Sequence, residues 1–181
     1  MNWKNDGDFV RGAVPMTKEE VRILTMAGLD LIPGLSFLDI GAGTGSISVA
    51  AASLGCAVTA VEEKDEAVNL IKKNAEAFDV EVNVIYGKAP DCLEDGVYDR
   101  IFIGGSKGRL EEILNYAHNH LAQDGVMTGN FITMTHAERM KSFFKEKGYD
   151  WTLTYVAVSR EDRLGLLRAE NGVFILKGRR G

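Results

Sequence analysis

The sequence predicts an α/β fold: a mostly parallel seven-stranded sheet with helices on both faces and an antiparallel C-terminal strand. Three observations predict it. Short apolar runs alternate with longer amphipathic stretches five times along the chain, and such alternation implies right-handed crossovers onto a parallel sheet. The stretch DIGAGTGSIS, Asp39 to Ser48, sets Gly41, Gly43 and Gly45 between an apolar run and small, helix-tolerant residues, as a tight strand-to-helix turn requires. The last two apolar runs follow one another with no helical stretch between, which predicts a hairpin at one sheet edge.

Each element has its own warrant. Thr17–Asp30 reads as a helix with Thr17 as N-cap and Glu20 completing a capping box, stopped by the Pro33-Gly34 turn. Ser36–Ile40 is the first strand and Ser46–Leu54 the helix after the glycines. Cys56–Val61 is a second strand, followed by a helix over Asp65–Phe78 that opens on acidic residues. VNVIY is a third strand and YDRIFIG a fourth; Leu110–Leu121 is helical, GVMTGNFI is a fifth strand, and Thr135–Lys147 carries its own Thr-x-x-Glu box. WTLTYVAVS and GVFILKG close the chain as strands. No linker or composition shift interrupts the series, so residues 1–181 are expected to form a single domain.

Composition narrows the function. With 45% hydrophobic residues, the 181-residue chain can bury a full core. Its net charge of −5 argues against a general nucleic-acid binder. The two cysteines lie in unrelated segments, the opening MNWKNDGDFVRG has no apolar core of a signal peptide, and no apolar run could span a bilayer. A cytoplasmic protein acting away from membranes is expected. His118, His120 and His136 lack metal-ligand spacing, so no metal site is expected.

The glycine loop follows the first strand, where open α/β sheets bind ligands. Its helix N-terminus favours a nearby anion by roughly 0.3–1 kcal/mol. The pattern is G-x-G-x-G, with Ser46 where a dinucleotide fingerprint places its third glycine, which counts against NAD. Glu62, directly after the second strand, can accept bonds from both hydroxyls of a ribose, and its charge would repel a 2′-phosphate. Gly87, Lys88 and Ala89 end the third strand, where an adenine edge would lie beside that ribose. Loop, acid and third segment together resemble the Rossmann-like class I S-adenosyl-L-methionine-dependent methyltransferases over about residues 36–131. The resemblance implies S-adenosylmethionine as cofactor, with Asp39, Gly41, Ala42, Gly43, Thr44 and Gly45 at its methionine end, Glu62 at the ribose, Lys88 and Ala89 at the adenine, and Gly104 nearby.

Further pieces narrow the resemblance. GAVPMTKEEVR, GAGTGSISVAAA, GKAPDCL, FIGGSKG and a terminal ENGVFILKG occur in that order. Together they resemble the decarboxylating precorrin methyltransferases of cobalamin biosynthesis, the CbiT family, over nearly the whole chain. Asn171-Gly172-Val173 stands where many members have Asn-Pro-Val. That likeness implies methylation of cobalt-precorrin-6B at carbon 15 with loss of carbon dioxide from the acetate on carbon 12. It also implies a cofactor contact at Thr17, a homotetramer, and the carbon-5 precorrin methyltransferase as functional partner. Methylating an enamine-like carbon creates an electron sink that assists decarboxylation, so the chemistry needs alignment more than a nucleophile. Accordingly no catalytic acid or base is assigned.

A tetrapyrrole carries many carboxylates. Residues 157–181 hold six Lys/Arg against three Asp/Glu, unlike the acidic remainder. Arg160, Arg163 and Arg168 there, and Gly105, Ser106, Lys107 and Arg109 after the fourth strand, are the candidate substrate contacts. Leu164–Leu167 in the same segment would cover the macrocycle or meet another subunit. Two other readings share the cofactor half: an RNA adenine methyltransferase, which would bring a basic face, and a non-catalytic cofactor-binding subunit or sensor.

Overall fold

The computed structural model describes residues 4–181; Met1–Trp3, at the head of the stretch read above as lacking a signal-peptide core, lie outside the described residues. The elements run α1 (Glu19–Leu29), β1 (Ser36–Ile40), α2 (Ser46–Ser53), β2 (Ala57–Glu62), α3 (Asp65–Ala77), β3 (Asn83–Tyr86), β4 (Tyr98–Ile103), α4 (Leu110–His120), β5 (Leu121–Phe131), α5 (Met134–Glu146), β6 (Asp150–Val156), β7 (Ser159–Glu161), β8 (Leu167–Ala169) and β9 (Val173–Arg179). Seven strands form one sheet in the order β3-β2-β1-β4-β5-β9-β6. β1 to β5 pair in parallel, and β9 lies between β5 and β6, antiparallel to both.

Alternation along the strands sorts the core onto two faces. Phe37, Val58 and Phe102 pack with Met26, Leu29 and Ile47 of α1 and α2. Their neighbours Leu38, Ile40, Ile101 and Ile103 pack on the other face with Ile113 and Leu114 of α4 and Met140 and Phe144 of α5. The central strands are therefore buried on both sides, as a parallel sheet requires. Ile101 is wholly buried, and truncating such a side chain to alanine costs about 2–5 kcal/mol. The helices present matching stripes: α4 buries Leu110, Ile113, Leu114 and Ala117, spaced one face apart.

Four details differ from the sequence reading. α1 starts at Glu19, with Lys18 rather than Thr17 at the N-cap and no side-chain cap bond. The Thr17 carbonyl instead accepts from Arg22 Nη1 at 2.8 Å, which holds Thr17 in the segment leading into the helix. α5 starts at Met134, one residue earlier than expected, because Thr133, not Thr135, caps it and accepts from the His136 backbone. Leu121 belongs to β5, not to the helix before it. The last two long strands do pair antiparallel, but β9 enters the sheet inside β6, and their connection carries a separate two-stranded arm, β7 and β8.

Candidate active site

The glycine loop leaves the carboxyl end of β1 between the ends of β2 and β4: the Gly41 and Ala42 N–H groups donate to the Val61 carbonyl, and the Gly104 N–H to that of Ile40. Gly41, Gly43 and Gly45 all have positive φ, between 58° and 77°. Their tasks differ. A Cβ at Gly41 would stand 2.7 Å from the backbone of Gly105, so Gly41 lets the β1 and β4 loops touch. One at Gly45 would stand 3.1 Å from Ile71, so Gly45 seats α2 against α3. Gly43 has only the Pro15 carbonyl at 3.2 Å and a Val14 methyl nearby.

Glu62 is buried at the end of β2, and three backbone N–H groups converge on it. Gly43 donates to Oε2 at 3.0 Å; Glu63 and Lys64 both donate to Oε1 at 3.0 Å. A carboxylate has about four lone-pair directions, so acceptor capacity remains beside the ties to the glycine loop. Below the loop, Asp39 is fully buried and accepts from the Ser48 hydroxyl through Oδ2, while Oδ1 has no hydrogen-bond partner. Burial pushes the Asp39 carboxyl up to about 7; the Ser48 bond opposes that shift and the Glu62 charge adds to it.

Two cavities meet at this loop. The smaller, about 220 Å³, is lined by Glu62, Lys88, Ala89, Gly105, Ser106 and Lys107 and by apolar Ile40, Val61 and Ile113. The larger, about 620 Å³, is lined by Thr17, Lys18, Ala42 and Asn130 and by the arm-side residues Val156, Val158, Ala169, Glu170 and Asn171. Pro15, Gly41, Gly43 and Gly104 line both. The segment that carries Pro15 is strapped across the loop. Asn74, fully buried, donates to the carbonyls of Thr44 and Val10 and accepts from the Val10 backbone, while Glu66 accepts from the Ala13 backbone.

The structure therefore brings Glu62, Gly41, Gly43, Lys88, Ala89, Gly104, Gly105, Ser106 and Lys107 to the smaller cavity, and Thr17 and Ala42 to the larger. Asp39, Thr44 and Gly45 line neither; they sit beneath the loop as its support. None of the four arginines expected at the mouth lines the cavities, and carboxylates of the chain itself take up three of them. Arg109 grips Asp91 at 2.6 and 2.9 Å, reaches the Ala89 carbonyl at 3.2 Å and pairs with Glu112. That network pins the loop bearing Lys88 and Ala89 to α4, and Arg109 holds the Asp91 carboxyl below its ordinary range. Arg160 bridges Glu20 and Glu170, and Arg168 pairs with Asp162. Arg163 is exposed on the arm, and Lys107 faces Glu63 at 3.8 Å. Among the described residues no group of three His, Cys, Asp or Glu side chains converges on a metal position. His118 contacts the Tyr149 hydroxyl and His120 stacks on Tyr116.

Lys18, Asn130, Pro15 and Glu170 were not singled out as site residues from the sequence. Pro15 and Lys18 lie within GAVPMTKEEVR, where the family likeness could have found them; Asn130 and Glu170 carry no local signal.

A small cavity with an apolar slot, a buried carboxylate and bare backbone suits a nucleoside attached to an amino acid, and a wider chamber opens beside it at Gly41, Gly43 and Gly104. Fold and paired cavities together define a Rossmann-like class I S-adenosylmethionine-dependent methyltransferase. Residues 8–173 match the precorrin methyltransferase domain family, and the chain belongs to that family. It is 35% identical over 183 residues to a probable cobalt-precorrin-6B C(15)-methyltransferase (decarboxylating) of Sulfurisphaera tokodaii, covering 96% of this chain and 95% of the relative. It superposes with a TM-score of 0.92 on a precorrin-6y C5,15-methyltransferase of Geobacter metallireducens, at 30% identity over 99% of this chain and 97% of the other. A precorrin-8W decarboxylase of Methanobacterium thermoautotrophicum gives 0.89 at 25% identity, over 97% and 98% of the two chains. No helix among the described residues is long and apolar enough to cross a membrane.

Proposed function

We propose that this chain methylates cobalt-precorrin-6B at carbon 15 and releases the carboxyl of the carbon 12 acetate as carbon dioxide, a step of cobalamin biosynthesis. The observation that carries this reading is the meeting of the two cavities at Gly41, Gly43 and Gly104, in a chain 35% identical to a relative bearing that name. S-adenosylmethionine, when bound, supplies an electrophilic methyl group. Glu62 takes the ribose hydroxyls, Lys88 and Ala89 the adenine edge, and the Gly41–Gly43 backbone the methionine end, with Thr17 and Gly104 beside the junction. Asp39 and Thr44 act from beneath by holding the loop.

The larger cavity takes the acceptor. Its walls are mainly apolar, with Lys18 and Glu170 as the charged members. Such a chamber turns one carbon toward the junction, and alignment of this kind can supply about 7–11 kcal/mol. No side chain needs to become a covalent intermediate.

The chain acts in the cytoplasm, a reading supported by its two unpaired cysteines, as one domain and as a homo-oligomer, a tetramer by family likeness. Leu164, Leu166 and Leu167, all strongly exposed on the arm, support a subunit contact. The name of the Geobacter relative joins carbon 5 to carbon 15, which supports a carbon-5 methyltransferase as the functional partner.

The test supplies methyl-labelled S-adenosylmethionine with either cobalt-precorrin-6B or bulk tRNA. Label recovered in the pigment is expected. Label recovered in the RNA, with none in the pigment, would replace this reading by the RNA one.

A further inference from the structure

Asn130 is the last polar side chain of β5 before the strand ends, and it lines the larger cavity. Ile103 and Gly129 are register partners in the β4–β5 pair, so Asn130 lies alongside Gly104, which borders both cavities. Its amide is anchored to Thr25, a fully buried residue of α1. The Thr25 hydroxyl donates to the Val21 carbonyl at 2.7 Å. It has one proton, so toward Asn130 it can only accept, and it does so from Nδ2 at 2.9 Å. This fixes which way the amide faces. Oδ1 stands 3.2 Å from the same hydroxyl, whose proton the nearer Val21 carbonyl takes, and the second Nδ2 proton has no protein partner among the described residues.

We propose that Asn130 is an acceptor-orienting residue: its free N–H donates to a peripheral carboxylate of the tetrapyrrole and turns the reacting carbon toward the junction at Gly104. Thr25 is the positioning residue that keeps that N–H pointing into the chamber. The inference rests on the tetrapyrrole reading above. The chemistry favours it independently, because an amide N–H held from behind gives direction without adding a charge to a mainly apolar wall.

The experiment compares the full-length protein with Asn130→Asp, Asn130→Leu, Thr25→Val and Thr25→Ser. Cobalt-precorrin-6B binding is read from quenching of intrinsic tryptophan fluorescence, turnover as kcat and KM, and S-adenosylhomocysteine affinity by calorimetry. Losing one hydrogen bond to a charged group should weaken pigment binding about tenfold in Asn130→Leu, and Asn130→Asp should be weaker still through like-charge repulsion. Thr25→Val should lower kcat about fivefold while pigment affinity holds, and Thr25→Ser should restore it. S-adenosylhomocysteine affinity should stay within about twofold of the parent throughout, which separates this role from damage to the fold. An Asn130→Asp variant that binds the pigment as tightly as the parent would overturn the assignment alone. A parent protein that binds S-adenosylhomocysteine but not the pigment would overturn both the assignment and the substrate reading.

Discussion

Glu62→Gln is the perturbation that separates binding from scaffolding at this site. The glutamine side chain has the same shape, but one oxygen becomes an NH2 group and the charge is lost. Its carbonyl can keep the Glu63 and Lys64 N–H groups, which share one oxygen in the parent, and its NH2 then faces the Gly43 N–H with nothing to accept. Leaving that one buried donor unmet costs about 1–3 kcal/mol, or roughly 2–12 °C in Tm for a domain of this size. The cofactor should suffer separately. Hydrogen bonds to a charged acceptor contribute about 1.5–3 kcal/mol against 0.5–1.5 for a neutral one, so S-adenosylhomocysteine affinity should fall by about 5- to 13-fold. Calorimetric titration at a temperature well below both melting points reads the second effect, and scanning fluorimetry reads the first. A variant that melts lower yet binds S-adenosylhomocysteine with unaltered affinity would make Glu62 a strut for the glycine loop alone, with the ribose elsewhere.

Three further outcomes follow from the same geometry. The Asp39 carboxyl is raised in the folded chain to about 7 from 3.8, so its contribution to stability is full below the unfolded value and is lost as pH rises through 7. Relative to Asp39→Asn, the parent should therefore lose up to about 4 kcal/mol between about pH 4 and pH 8, seen as a shrinking Tm advantage; a constant difference would show an ordinary carboxylate. Gly41→Ala should fold poorly, since its Cβ would meet Gly105 backbone at 2.7 Å, whereas Gly105→Ala meets nothing closer than 3.9 Å. Gly105→Ala should melt within about 2 °C of the parent but bind S-adenosylhomocysteine more weakly; unaltered binding would remove Gly105 from the cofactor's surroundings. Leu164→Glu with Leu167→Glu should lower the mass measured by light scattering to that of a smaller assembly, and an unchanged mass would place the subunit contact off the arm.

The parts of this fold that were legible in the sequence are those written in local periodicity. Phe37 against Leu38 and Ile101 against Phe102 alternate by face, and the observed layers follow from that alternation. The glycine loop and Glu62 were legible because a bare backbone and a terminal acid are local signals. Helix starts were less so. Thr17 and Thr135 both satisfy a capping box on paper, but the Arg22 guanidinium holds the Thr17 carbonyl, and Thr133 reaches the His136 N–H first. The place of β9 between β5 and β6 depends on pairings made across the chain, which short-range pattern does not encode. The pairing of the arginines was illegible for a related reason: charge in a loop reads as available until its partner is known, and Glu20 lies 140 residues from Arg160. Asn130 was invisible because its meaning comes from Thr25, 105 residues away.

On this reading one chain both adds a methyl group and removes carbon dioxide from a corrin precursor. The most direct measurement is anaerobic incubation of the purified protein with S-adenosylmethionine and cobalt-precorrin-6B, followed by mass spectrometry of the pigment. The expected product has gained one methyl group and lost one carbon dioxide. A pigment of unchanged mass, from protein shown to bind S-adenosylhomocysteine, would contradict this reading.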